Sequence, residues 1–248
     1  MLFLDLLIIF LVGLFASFFS TIVGGGALLK TPILIFLGLP AQTAVATDRI
    51  SSLGFSSGLY KFMKEGKVNI KLGLSLLIFS MIGAFFGANL LLQMQENILR
   101  RIIAIITILI LMLIIFKKNI GTKKIKTKIT PIKRVFGHIS IFFLGMYNAF
   151  FGGGAATFYS YVLILVFGQT FLESAGTRKI LTLASAFIAS IVYIISGIVN
   201  YAFFVTLFTA TIIGSYLGSA YAIKKGEKWV RSLFIIIVLL MAVRLLIL

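Results

Sequence analysis

The chain has 248 residues, of which 60% are hydrophobic and 12% charged. A soluble domain carries about 25% charged residues, so this composition excludes a soluble enzyme and a disordered basic protein and points to an all-α polytopic membrane protein. The charge is one-sided, 23 Lys and Arg against 6 Asp and Glu for a net +17. In a membrane protein that excess marks cytoplasmic loops, so no nucleic-acid partner is expected.

The apolar runs in chain order are 2–22, 27–39, 44–63, 72–92 and 98–116, then a basic stretch 117–134, then 136–151, 155–167, 180–195, 201–223 and 229–248. The first run has no basic leader, carries Asp5 and continues into apolar sequence, so it reads as a membrane segment, not a cleaved signal. A full helical span needs roughly 20 residues. The runs 27–39 and 155–167, each following three glycines, are shorter.

The second set of runs copies the first. Gly24, Gly25 and Gly26 match Gly152, Gly153 and Gly154 at an offset of 128; Thr47 and Arg49 match Thr177 and Lys179 at 130. Gly66, Val68 and Asn69 match Gly197, Val199 and Asn200 at 131, as do Ile82, Gly83 and Gly87 with Ile213, Gly214 and Gly218, and Glu96 and Arg100 with Glu227 and Arg231. Ordered matches of Gly, Asn, Glu and Arg define two homologous repeats, 1–116 and 135–248, around a basic linker 117–134. Internal repeats of this kind are a transporter signature.

The linker holds eight Lys or Arg and no acid, which makes it cytoplasmic. Counting outward from it puts Lys61, Lys64, Lys67 and Lys71 on the same side. If the second repeat is inverted, Arg178, Lys179, Lys224, Lys225, Lys228 and Arg231 join them, so that 18 of the 23 basic residues face the cytoplasm and both termini lie outside. Each half then has either five spans or three transmembrane helices plus a glycine-broken helical hairpin. The short second arms favour hairpins.

Three glycines weaken a helix by about 1 kcal/mol each relative to alanine. Backbone freed inside a bilayer must be buried in protein or line a wet cavity. A helix beginning just after the glycines offers free N–H groups and a positive dipole end, which suits an anion. Close helix packing is the competing use of such glycines. Beside the breaks lie Thr21, Lys30, Asn148 and Thr157, and further on Thr47, Ser51, Thr177 and the matched cations Arg49 and Lys179. The hydroxyls and Asn148 are candidate donors to an oxyanion, or helix-bridging groups. Lys30, Arg49 and Lys179 are candidate anion ligands, with snorkelling or topology roles as the alternative. Asp48 either pairs with Arg49 or serves as a coupling carboxylate. Glu96 with Arg100, and Glu227 with Arg231, have the i, i+4 spacing of surface pairs. His138 and Trp229 read as interfacial residues. With no cysteine and one histidine, neither a metal site nor a catalytic cluster is expected, and no cofactor.

The Gly24-Gly25-Gly26 element with Pro32, its second copy, the Thr47-Asp48-Arg49 region and the turn Gly66-Lys67-Val68-Asn69 together resemble the sulfite exporter TauE/SafE family, over essentially the whole chain. The position equivalent to Pro32 holds Ser160, a departure from exact symmetry between the hairpins. The resemblance implies a permease for a small sulfur-containing anion such as sulfite or an organosulfonate in the cytoplasmic membrane. Alternating access around the paired breaks, a coupling ion (proton or sodium), lipid contacts and a homo-oligomer are compatible with it. A passive anion channel, a non-transporting scaffold subunit and a membrane-embedded enzyme are the competing readings.

Overall fold

A computed structural model describes residues 2–116 and 130–225. They are helical throughout: α1 (Leu2–Ile22), α2 (Ala27–Phe36), α3 (Ala41–Ser51), a 3-10 segment (Ser52–Phe55), α4 (Ser56–Lys64), α5 (Ile70–Gln93), α6 (Glu96–Phe116), α7 (Pro131–Phe150), α8 (Ala155–Leu165), α9 (Phe171–Ile195) and α10 (Tyr201–Lys225). Among the described residues, α1, α5, α9 and α10 are long and apolar enough to cross a membrane. The expected run 229–248, Trp229, the Glu227–Arg231 pair and linker positions 117–129 lie outside the described residues.

Local chemistry sets the helix starts. Asn69 Oδ1 accepts the Leu72 N–H (3.1 Å) and Asn200 Oδ1 the Phe203 N–H (3.0 Å), so the repeated asparagine is an N-cap at both places. The α9 start is closed by a capping box between Thr170 and Glu173. The matching start of α3 has no side chain of its own to cap it. Instead Glu96 reaches across and accepts the Ala41 N–H with both carboxylate oxygens (2.7 and 2.9 Å), while also pairing with Arg100 (2.8 Å). Thr130 caps α7, with Pro131 in its first turn, so this helix begins inside the stretch read as linker. The expected single segment 44–63 is also corrected: it is two helices joined by the 3-10 turn.

The halves interlock. α1 packs along α10 and α7 along α5. Ser17 donates to Thr211 (3.1 Å) and Thr21 to Ser215 (3.2 Å), so α1 and α10 run in the same direction. Gly83 lies against the Phe142 carbonyl and Gly87 against that of Met146, so α5 and α7 also run together. At these glycines the backbones approach so closely that a Cβ has no room. α9 follows α5: Gly176 lies on the Lys67 carbonyl and Gly73 on Ile180. The α3–α4 segment follows α10, with Asn200 N–H on Thr47 (3.1 Å) and Ser57 on the Ile212 carbonyl (2.7 Å). Between α3–α4 and α9 the numbering runs in opposition. Arg49 reaches Asn148, which donates to Ser185, whereas Lys179 lies over Phe55.

Candidate functional site

The first glycine run separates α1 from α2 and the second separates α7 from α8. Gly24 (φ +97°) and Gly152 (φ +73°) adopt the left-handed backbone that a side chain resists. The two breaks touch. Thr157 Oγ1 donates to the Val23 carbonyl (2.8 Å), and a Cβ on Gly24 would sit 2.9 Å from the Thr157 nitrogen. A Cβ on Gly153 would press on Leu28, and one on Gly152 would run into the Arg49 guanidinium. The amides of Gly25, Gly26, Gly153 and Gly154 meet no hydrogen-bond acceptor among the described residues.

Around this junction sit the only buried charged side chains among the described residues: Lys30, Asp48, Arg49, Arg178 and Lys179, each no more than 4% exposed. Asp48 is central. Its Oδ1 meets Lys30 Nζ at 2.7 Å, and its Oδ2 meets Arg49 Nη2 at 2.5 Å and accepts from Thr31 Oγ1 at 3.2 Å. Lys30 also reaches Ser51 Oγ (3.5 Å), so Ser51 lies beside this ion cluster. Arg49 Nη1 donates to the backbone carbonyl and the Oδ1 of Asn148, both at 3.3 Å, tying α3 to the end of α7. Its Nε meets no acceptor among the described residues.

Arg178 and Lys179 correct the charge map drawn from sequence: neither lies in a solvated loop. The Arg178 guanidinium donates to the carbonyls of Thr21 (2.9 Å), Ser20 (3.3 Å) and Ile22 (3.4 Å), and to the Ala156 carbonyl (3.0 Å) and Ser160 Oγ (2.8 Å). A cation here satisfies the orphan carbonyls at the α1 C-terminus and complements its dipole. It also explains Ser160, which serves as an Arg178 acceptor where proline would offer none. Lys179 Nζ donates to Thr21 Oγ1 (2.8 Å) and Ser215 Oγ (3.2 Å) and lies 4.0 Å from the centre of the Phe55 ring. It makes no salt bridge with a carboxylate among the described residues.

Most of the expected site residues therefore converge: the two glycine runs, Thr21, Lys30, Asp48, Arg49, Asn148, Thr157 and Lys179. Thr47 and Thr177 do not point their hydroxyls into the cluster. Thr47 accepts the Asn200 N–H (3.1 Å), and Thr177 accepts the Asn69 N–H (3.0 Å) and Gln169 Nε2 (3.0 Å). Both pin the repeated turns of the opposite half. Four participants escaped the sequence reading: Arg178 as a buried group, Phe55, Ser215 and Ser160. Arg178 stands where the first repeat has Asp48, and a second base beside Lys179 in an apolar run was the available signal. An open cleft of about 420 Å³ between the turn at Gly66–Asn69 and residues Phe167, Gly168 and Gln169 is lined by none of the buried ions.

Known proteins resemble this chain along most of its length. A family model described as sulfite exporter TauE/SafE matches residues 9–245. A probable membrane transporter protein of Haemophilus influenzae is 26% identical over 97% of this chain and 94% of its own. Another, from a Sinorhizobium species, is 27% identical over 96% of this chain and 91% of its own, and one from Escherichia coli is 26% identical over 96% and 88%. No solved structure matches the chain significantly. With a model matched along nearly its entire length, the chain belongs to the TauE/SafE sulfite exporter family of membrane transporters.

Proposed function

We propose that this protein carries a small oxyanion, sulfite or an organosulfonate, across the cytoplasmic membrane by alternating access, binding it where the two glycine breaks meet. The observation that carries this reading is the imbalance of buried charge among the described residues: four cations, Lys30, Arg49, Arg178 and Lys179, against one carboxylate, Asp48. Desolvating an ion costs several kcal/mol even after relaxation. Ionisable residues within membrane-spanning segments mark substrate and ion pathways, and an anion would complete this cluster.

The cations differ in how far they are already engaged. Arg178 is turned onto backbone carbonyls, and Lys30 and Arg49 share Asp48. Among the described residues Lys179 holds two hydroxyls and a ring, and a hydroxyl such as that of Ser215 can turn to donate to an incoming oxyanion. Lys179, Thr21 and Ser215 therefore form the primary anion contact, with the Arg49 Nε and the acceptor-free glycine amides as further donors.

Helix direction supports the inverted repeat. α1, α3–α4 and α10 run one way, and α5, α7 and α9 the other. The repeat pairs α1 with α7, α3–α4 with α9 and α5 with α10, so each helix falls in the set opposite its copy. The α1–α2 and α7–α8 units then act as re-entrant hairpins entering from opposite faces, the linker is cytoplasmic and the termini are external. A proton or sodium gradient, or the substrate's own gradient, supplies the driving force.

The test is countertransport of sulfite in proteoliposomes. Saturable exchange is expected for the wild-type protein, and its loss in Lys179→Gln, Arg49→Gln, Gly25→Leu and Gly153→Leu variants that still insert. Normal flux in all four refutes the site. Flux without saturation or countertransport identifies a channel, and no flux together with a stably bound protein partner identifies a scaffold subunit.

A further inference from the structure

Both buried lysines face the ring of Phe55: Lys179 Nζ lies 4.0 Å and Lys30 Nζ 5.3 Å from its centroid. These distances bring the two ammonium groups within about 9 Å of each other, one from each half of the chain. The ring is 6% exposed. Its backbone belongs to the 3-10 turn Ser52–Phe55 that interrupts the segment between α3 and α4, whereas α9 runs unbroken through the matching stretch. That turn is held firmly. A Cβ on the neighbouring Gly54 would lie 2.9 Å from the Phe208 carbonyl oxygen and 3.1 Å from the Ile212 nitrogen, so the turn is pressed onto the α10 backbone. The ring thus projects from a backbone packed closely on α10.

A π-face attracts an ammonium but does not neutralise it. The ring accordingly occupies volume beside two ammonium groups, of which Lys30 is paired with Asp48 and Lys179 with no carboxylate among the described residues. We infer that Phe55 is the specificity-determining residue of the anion site: its ring takes space beside both Lys30 and Lys179, and the room gained when it turns aside limits the bulk of the anion that Lys179 holds. This rests on the anion reading above and adds a size limit to it. A compact oxyanion fits the space of one displaced ring. An anion carrying an apolar tail must compete with the ring for that space.

The experiment is isothermal titration of the full-length protein in nanodiscs with sulfite and with benzenesulfonate, for wild type, Phe55→Ala, Phe55→Leu and Phe55→Trp. Wild type is expected to bind sulfite more tightly. Phe55→Ala shifts the ratio of the two dissociation constants at least tenfold towards benzenesulfonate, and Phe55→Leu shifts it about threefold the same way. Phe55→Trp shifts it in the opposite direction. If the alanine variant does not fold, the leucine and tryptophan variants decide the matter. A residue that merely packs changes both constants together and leaves the ratio unmoved, and that result overturns the inference while leaving the anion site standing. A wild-type protein that binds neither anion overturns the anion reading, and this inference with it.

Discussion

Replacing Asp48 with asparagine tests the buried ion cluster directly. The side chain keeps its shape and retains an oxygen for Thr31, but the charge shared by Lys30 at 2.7 Å and Arg49 at 2.5 Å is gone. Both cations are within 4% of full burial, so water does not take over. Removing one partner of a buried pair costs about 3–5 kcal/mol, chiefly because the other charge is stranded. At about 2–4 °C per kcal/mol for a chain of this size, the midpoint of thermal unfolding should fall by roughly 10 °C. The assay is thermal unfolding of the solubilised protein at neutral pH. Two comparisons sharpen it. The double variant Asp48→Asn, Lys30→Met should recover about half of the loss, because one stranded cation has been removed. If the proposed anion site holds, adding sulfite should stabilise Asp48→Asn more than wild type, since a ligand at a hundred times its dissociation constant contributes about 2.7 kcal/mol. A loss below about 1 kcal/mol, or a double variant no more stable than simple addition predicts, would refute the reasoning.

Five further outcomes are expected. Arg178→Lys should destabilise by about 2–3 kcal/mol in the same assay, because an ammonium cannot span the Ser160 hydroxyl, the Ala156 carbonyl and the α1 carbonyls that the guanidinium fork reaches. Thr157→Val should cost about 1 kcal/mol by removing the hydrogen bond to Val23 that links the two breaks. Gly87→Ala should lose about 1–3 kcal/mol, since its Cβ meets the Met146 carbonyl; Gly66→Ala, with φ +64° and nothing within 4 Å of the new atom, should show only the backbone cost of about 1 kcal/mol. For topology, a cysteine replacing Ile198 should react with an impermeant maleimide on intact cells, and labelling only after permeabilisation would reject the inverted arrangement.

Much of the fold was legible in the chain because its signals are local. Apolar runs, triple glycines and the Gly-x-Val-Asn turns each act over a few residues, and the structure has helices, breaks and asparagine caps at those places. Two boundaries were not legible. The 3-10 interruption at Ser52–Phe55 carries no glycine run or proline, and its position is set by contact with α10 more than 150 residues away. The start of α3 depends on Glu96, 55 residues further along, where α9 uses its own Thr170 and Glu173.

The site divides the same way. Composition and repeat spacing alone determined that this is a helical membrane protein with two glycine breaks and cations at matched positions, because hydrophobicity, glycine and charge are properties of the residues themselves. Whether a given charge is solvated or buried is a property of its surroundings, and only the tertiary structure decided that. By sequence Arg178 counts with the cytoplasmic bases, and Lys179 is either a topology charge or an anion ligand, until α9 lays both against the end of α1. Thr47 and Thr177 looked like ligands for an anion until each was taken up by the opposite repeat's turn. The ring of Phe55, one of 25 phenylalanines in the chain, acquired its place only when Lys30 and Lys179 were brought to it from the two halves.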